Sequence, residues 1–129
     1  MTEANPMRIL IVDDAALIRT YYRAALEPRG YEIEEALNGL EALEKLLLKS
    51  FDLIIVDVNM PQMDGMTFLK ILRAKELPVA ATPALVTSTE AGPQDQTAAR
   101  AAGANYYLVK PIKQETLADH ADALCGVVR

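Results

Sequence analysis

Two short runs dominate the hydropathy pattern. Ile9–Val12 and Leu53–Val56 are wholly aliphatic, rich in β-branched residues, and each is followed at once by acid. Continuous apolar character over so few residues marks a strand buried on both faces, as in parallel sheets. We therefore read strands over Arg8–Asp14 and Leu53–Asp57. Between them, Ala15–Leu26 carries Ile18, Tyr22, Ala25 and Leu26 at helical spacing and is stopped by Pro28 and Gly30. Tyr31–Ala36 alternates weakly and is rich in glutamate, which predicts an outer strand. Asn38-Gly39 opens a second helix, with Ala42, Leu43, Leu46 and Leu47 on one face and Glu41 and Lys45 on the other.

The second half repeats the rhythm. Pro61 and Asp64-Gly65 mark a loop before a helix carrying Phe68, Leu69 and Leu72. Pro78 and Pro83 leave Ala84–Thr87 as the clear part of a fourth strand. Gly92-Pro93 precedes a helix over about Gln94–Ala102, closed by Gly103. Tyr106–Val109 is a fifth strand, Lys110-Pro111 turns the chain, and a last helix aligns Leu117, Ala121, Leu124 and Val128. Five strands alternating with five helices at short connections predict an α/β fold, a doubly wound parallel sheet in one domain spanning 1–129.

Composition narrows the class. With 129 residues and 51% hydrophobic content, the chain can bury a core without a covalent staple. The single cysteine, Cys125, cannot close an intrachain disulfide, which points to a reducing compartment and hence the cytoplasm. No apolar run approaches the ~18 residues a membrane span needs, and the polar N-terminus lacks a signal pattern. A net charge of -5 without any Lys/Arg cluster argues against nucleic acid. The expectation is a soluble monomer with no membrane or nucleic-acid partner.

Parallel strands deliver their carboxyl ends to one rim, where such sheets bind ligands. Asp13 and Asp14 end the first strand, Asp57 the third and Thr87 the fourth, and Lys110 follows the fifth. Three carboxylates in one pocket repel one another unless a cation joins them. An all-oxygen donor set without His or Cys favours Mg²⁺. A carboxylate is also a usable nucleophile toward phosphorus. Lys110 and the Thr87 hydroxyl supply the positive charge and hydrogen bond that a transferred phosphoryl group requires. Taken singly, each residue has an ordinary reading: Asp14 as a cap for the helix at Ala15, Thr87 as a strand-end hydroxyl, Lys110 as a solvated lysine. Their convergence on one rim carries the chemistry.

These residues resemble the receiver domains of bacterial response regulators, in particular the single-domain chemotaxis type, over Arg8 to about Val128. The motifs are Asp13-Asp14 after an ILIV strand, Asp57-Val58-Asn59-Met60-Pro61 with Met63-Asp64-Gly65, then Thr87, and Tyr107 shortly before Lys110-Pro111. Asp14, Asp57, Thr87 and Lys110 are separated by 43, 30 and 23 residues, which also match. The resemblance implies a flavodoxin-like, CheY-like sheet of strand order 2-1-3-4-5 flanked by five helices. It implies that Asp57 is the phosphoacceptor, fed by a histidine kinase. Asp13, Asp14, Asp57 and the backbone carbonyl of Asn59 would hold Mg²⁺. Lys110 would pair with the phosphoryl group, and Thr87 would move toward it while Tyr107 swings inward. That movement would reshape the face of the fourth helix, fifth strand and fifth helix for a phospho-dependent effector, such as a flagellar motor switch protein. The family also tends to have a cis Lys110–Pro111 bond.

Departures from the family pattern are Tyr106 beside the switch tyrosine, Thr89 where chemotaxis relatives carry an acid, and the prolines before the fourth strand and helix. A phosphate sink or relay carrier would share the same chemistry without an effector. A dehalogenase-type phosphatase would need an acid at Asn59, and a flavodoxin-type redox carrier a phosphate-cradling loop where Asp13-Asp14-Ala15 stands. The expected activity is self-phosphorylation and self-dephosphorylation, not turnover of a free substrate.

Overall fold

The strands pair in the order β2-β1-β3-β4-β5, all parallel, in a computed structural model that describes residues 6–129. They are β1 (Arg8–Val12), β2 (Glu32–Ala36), β3 (Leu53–Asp57), β4 (Ala84–Ser88) and β5 (Tyr106–Val109). The helices between and after them are α1 (Ala16–Leu26), α2 (Gly39–Leu48), α3 (Gly65–Arg73), α4 (Pro93–Ala102) and α5 (Gln114–Cys125). Short 3₁₀ turns occupy Glu27–Arg29 and Val79–Ala81.

Side-chain alternation along β1, β3 and β4 builds two cores. Leu10, Val12, Ile54, Val56, Ala84 and Val86 pack beneath α2, α3 and α4 with Leu46, Phe68, Leu69, Leu72 and Ala99. Ile9, Ile11, Leu53, Ile55 and Leu85 point the other way, against Tyr22 and Leu26 of α1 and Leu117 and Ala121 of α5. Strand residues buried on both faces must be apolar at every position, which explains the unbroken aliphatic runs.

Local chemistry fixes the helix starts that approach the rim. The Asn38 side chain accepts from Glu41 N at 2.9 Å while Glu41 Oε1 accepts from Leu37 N at 3.1 Å, a reciprocal cap for α2. Asp64 caps α3 by accepting from Thr67 N at 2.8 Å. Lys110–Pro111 is cis, as the resemblance implies, and so is Leu77–Pro78.

Four details differ from the sequence-based expectation. β1 stops at Val12, so Asp13 and Asp14 lie just past the strand, although Asp13 N still bonds Ala36 O at 3.1 Å. Leu47 is exposed, because Leu46 takes the inward seat and the next residue is turned about 100° around the helix. Val128 is also exposed and lies beyond α5. That helix ends when Gly126 adopts a left-handed φ of 71°. β4 extends one residue further than expected, to Ser88.

Candidate functional site

The rim at the carboxyl ends of β1, β3, β4 and β5 gathers the polar residues. Asp13 and Asp57 follow the parity of Ile9, Ile11, Leu53 and Ile55, so both belong to the α1–α5 side of the sheet. Thr87 pairs with Asp57 in the β3–β4 register and shares the parity of Leu85. One carboxylate oxygen each from Asp13, Asp14 and Asp57 falls within 4.8 Å of the others. Asp13 and Asp57 are buried, whereas Asp14 is exposed. Asp14 does not cap α1; Asp13 Oδ1 instead accepts from Ala15 N at 2.9 Å.

Lys110 closes this cluster. Its Nζ lies 3.0 Å from Asp13 Oδ2 and 3.1 Å from Asp57 Oδ1. Burial works against the ammonium, but Asp13 and Asp57 outweigh it and hold the Lys110 pKa above the ordinary lysine value. For Asp57, burial pushes the pKa up from the usual carboxylate value, and the charges of Asp13 and Asp14 add to that. Lys110 opposes the rise without cancelling it. The cluster fits a hard divalent cation: three carboxylates within mutual reach, oxygen donors only, with two held together by an internal counter-ion. Asn59, exposed two residues past Asp57, offers a backbone carbonyl on the same loop.

The loop is held by close backbone packing. Gly65 N donates to Val58 O at 2.9 Å, and a Cβ on Gly65 would lie 2.3 Å from Asp57 O. The Met63-Asp64-Gly65 motif thus caps α3 with Asp64 and lets its first residue press against the backbone of Asp57.

Tyr107 lies on the opposite side of the sheet from Thr87. It packs against the α2–α4 core, and its hydroxyl donates to Glu90 O at 2.7 Å. Glu90 belongs to the β4–α4 connection that begins after Ser88, the residue following Thr87. Tyr106 is exposed and packs its ring at a 40° tilt against His120 of α5, with ring centroids 4.7 Å apart. Thr89 lines an apolar groove of about 620 Å³ beside the acidic cluster, together with Leu17, Ile18, Tyr21, Ile112 and Lys110.

One residue of this site escaped the sequence reading. Helical spacing makes Tyr22 an apolar-face position of the first helix, yet its buried hydroxyl lies beside Thr87 and Lys110 in the pocket floor. Burial raises its pKa above the usual phenol value, and Lys110, Thr87, Asp13 and Asp57 all act on it. Its position two turns down α1 from Ala15 places it under the rim, but no local pattern distinguishes it from a core tyrosine.

The description "Response regulator receiver domain" matches residues 9–122. With that match over a five-stranded 2-1-3-4-5 sheet, the chain belongs to the response regulator receiver domains. It is 35% identical to the chemotaxis protein CheY1 of Helicobacter pylori, covering 93% of this chain and 98% of that protein. The crystal structure of the chemotaxis response regulator CheY4 of Vibrio cholerae superposes with a TM-score of 0.86 at 39% identity, covering 93% of this chain and 99% of that one. The gliding motility regulatory protein of Myxococcus xanthus is 38% identical over 94% of this chain. The chain spans only 16% of that protein, and 50% of the transcriptional regulatory protein ResD of Bacillus subtilis, which it also resembles. Among the described residues, no helix is long and apolar enough to cross a membrane.

Proposed function

We propose that the chain is a phosphorylation-activated switch of a two-component system, acting in chemotaxis. The observation that carries this reading is the buried Asp57 carboxylate, 3.1 Å from Lys110 and within 4.8 Å of oxygens from Asp13 and Asp14. Its similarity to CheY1 and CheY4, over nearly the whole of each, supports the chemotaxis assignment.

A histidine kinase presents a phosphohistidine to the rim. An Asp57 oxygen attacks phosphorus as the P–N bond breaks; the imidazole leaves with the bonding pair and takes up a proton, and Asp57 becomes an acyl phosphate. Asp13, Asp14, Asp57 and the Asn59 carbonyl would hold Mg²⁺, which when bound neutralises charge on the phosphoryl oxygens. Lys110 moves its contact from the Asp57 carboxylate to the phosphoryl oxygens, and Thr87 donates its hydroxyl to one of them. Water later hydrolyses the acyl phosphate and resets the domain, so turnover is confined to its own phosphorylation and dephosphorylation.

Thr87 and Tyr107 lie on opposite faces of the sheet, so their coupling runs through the β4–α4 connection. A shift of Thr87 pulls on the backbone that leads to Glu90, and Tyr107 loses or keeps its grip accordingly. The phosphate contacts supply the free-energy difference that moves the population. An effector then reads the α4–β5–α5 face.

Intact mass after incubation with acetyl phosphate and Mg²⁺ tests the reading. The expected result is one added phosphoryl group, lost in Asp57→Asn. Full labelling of that variant would overturn the assignment.

A further inference from the structure

Two hydroxyl groups in the pocket floor make no hydrogen bond of good geometry. Tyr22 Oη and Thr87 Oγ1 are both buried without a hydrogen-bond partner, in residues only 2% and 0% exposed. They are neighbours: the Thr87 hydroxyl is among the groups acting on the Tyr22 phenol, although no bond of good geometry joins them. A buried hydroxyl without a partner is destabilising and is uncommon in folded proteins. Two together, beneath the phosphoacceptor, mark a place where a group added to Asp57 can find hydrogen-bonding capacity the protein's own side chains leave open.

The inventory of donors and acceptors around Tyr22 shows what would complete it. Lys110 has only hydrogens to offer, and its ammonium engages the nearest oxygens of Asp13 and Asp57. Thr87 is a polar neighbour whose hydroxyl is not otherwise committed, and a hydroxyl can accept one hydrogen bond while donating another. In the resting state the Thr87 proton has no acceptor, so nothing fixes the direction of its lone pairs. A phosphoryl oxygen on Asp57, which faces Thr87 in the β3–β4 register, would provide that acceptor. With its proton committed to the phosphate, Thr87 would turn a lone pair toward Tyr22.

We infer that Tyr22 is a positioning residue for the phosphorylated state, its hydroxyl donating to Thr87 Oγ1 while Thr87 donates to the phosphoryl group. The inference rests on the phosphoacceptor reading of Asp57 and adds to it a residue of α1 that makes no contact with the phosphate. Chained hydrogen bonds polarise one another, so the Tyr22 proton strengthens the donor that Thr87 presents. The buried pair also makes the resting state less comfortable than the loaded one, which biases the switch toward loading.

The test is a double-mutant cycle read by titration with beryllofluoride, a phosphoryl mimic, at saturating Mg²⁺, followed through the amide resonances of β4. Y22F keeps the ring and removes only the hydroxyl. It should weaken beryllofluoride binding about fivefold, the effect of one lost hydrogen bond, while its melting temperature stays level or rises. In the T87V background the same change should have no effect, because the intermediary is gone. In the T87S background, which restores a hydroxyl, the dependence on Tyr22 should return. Equal weakening in the Thr87 and T87V backgrounds would show a packing role and overturn the inference, as would unchanged or tighter binding by Y22F. Failure of the unaltered protein to bind beryllofluoride would instead overturn the phosphoacceptor reading, and this inference with it.

Discussion

A methyl group added at Gly65 would lie 2.3 Å from the Asp57 carbonyl oxygen and 3.1 Å from Val58 Cα, and neither can rotate away because both belong to the backbone. Gly65→Ala must therefore push the start of α3 away from β3. We expect a loss of about 1–3 kcal/mol in urea denaturation, the usual range for overpacking. Slower labelling of Asp57 by acetyl phosphate should accompany it, because the same backbone carries the carboxylate. Unchanged stability and unchanged labelling would show that the contact is not rigid. The motif around Gly65 was legible because tight turns and caps are encoded within a few residues. Tyr22 was not, since the hydroxyl of Thr87 that it lies beside is 65 positions away on another element. A helical period reports that a side chain points inward and says nothing about what it meets there.

Between elements, the carboxylate of Asp122 on α5 is a hub at the pole opposite the acidic rim. Arg29 and Arg129 reach it at 2.6 and 2.8 Å, and Tyr31 donates to its other oxygen. Burial raises its pKa, but these hydrogen bonds prevail and hold it down at about 2. The folded-state pKa is thus below the unfolded value, so the stabilisation is fully present above about pH 4 and is lost as pH falls toward 2. Allowing for solvent screening of the arginines, this amounts to about 1–2 kcal/mol. Asp122→Asn should lower the melting temperature at pH 7, and the gap from the unaltered protein should narrow at pH 3. A gap independent of pH would refute the electrostatic account. Periodicity recovered the strands β1 and β3 and the buried faces of the helices, since both cores sit on the sheet those strands anchor. It misassigned Leu47 and Val128. Adjacent leucines leave the inward one ambiguous, and the end of α5 is set by the conformation of Gly126, past which an apolar residue still matches the stripe.

Across the whole molecule, the reactive carboxylate and the apolar groove beside it form one continuous surface. Leu17, at 85% exposure, stands at the edge of that groove, and Lys110 belongs to both. A phosphohistidine carried on a folded kinase must bring a second surface with it, and on the proposed reading the apolar ground next to Asp57 would receive it. Leu17→Glu should leave labelling by acetyl phosphate intact, since a small donor needs no docking surface. It should slow transfer from a phosphorylated kinase about tenfold, in keeping with the loss of one buried apolar anchor. Equal rates from the kinase before and after the substitution would place the docking elsewhere. The doubly wound parallel sheet was legible from the strand–helix rhythm, because parallel connections leave few arrangements open, whereas its 2-1-3-4-5 order came with the family resemblance. This surface was not, since it joins the first turn of α1 to the loop before α5, which only the closed sheet brings together.

Lys110 gives the resting pocket a counter-ion on a tether. It cannot diffuse away, and it already occupies part of the electrostatic vacancy that three carboxylates create. A divalent cation entering this cluster would therefore compete with a charge already built in. Its affinity would be lower than the carboxylates alone would give, and replacing Lys110 with an uncharged residue should tighten metal binding in a Mg²⁺ titration.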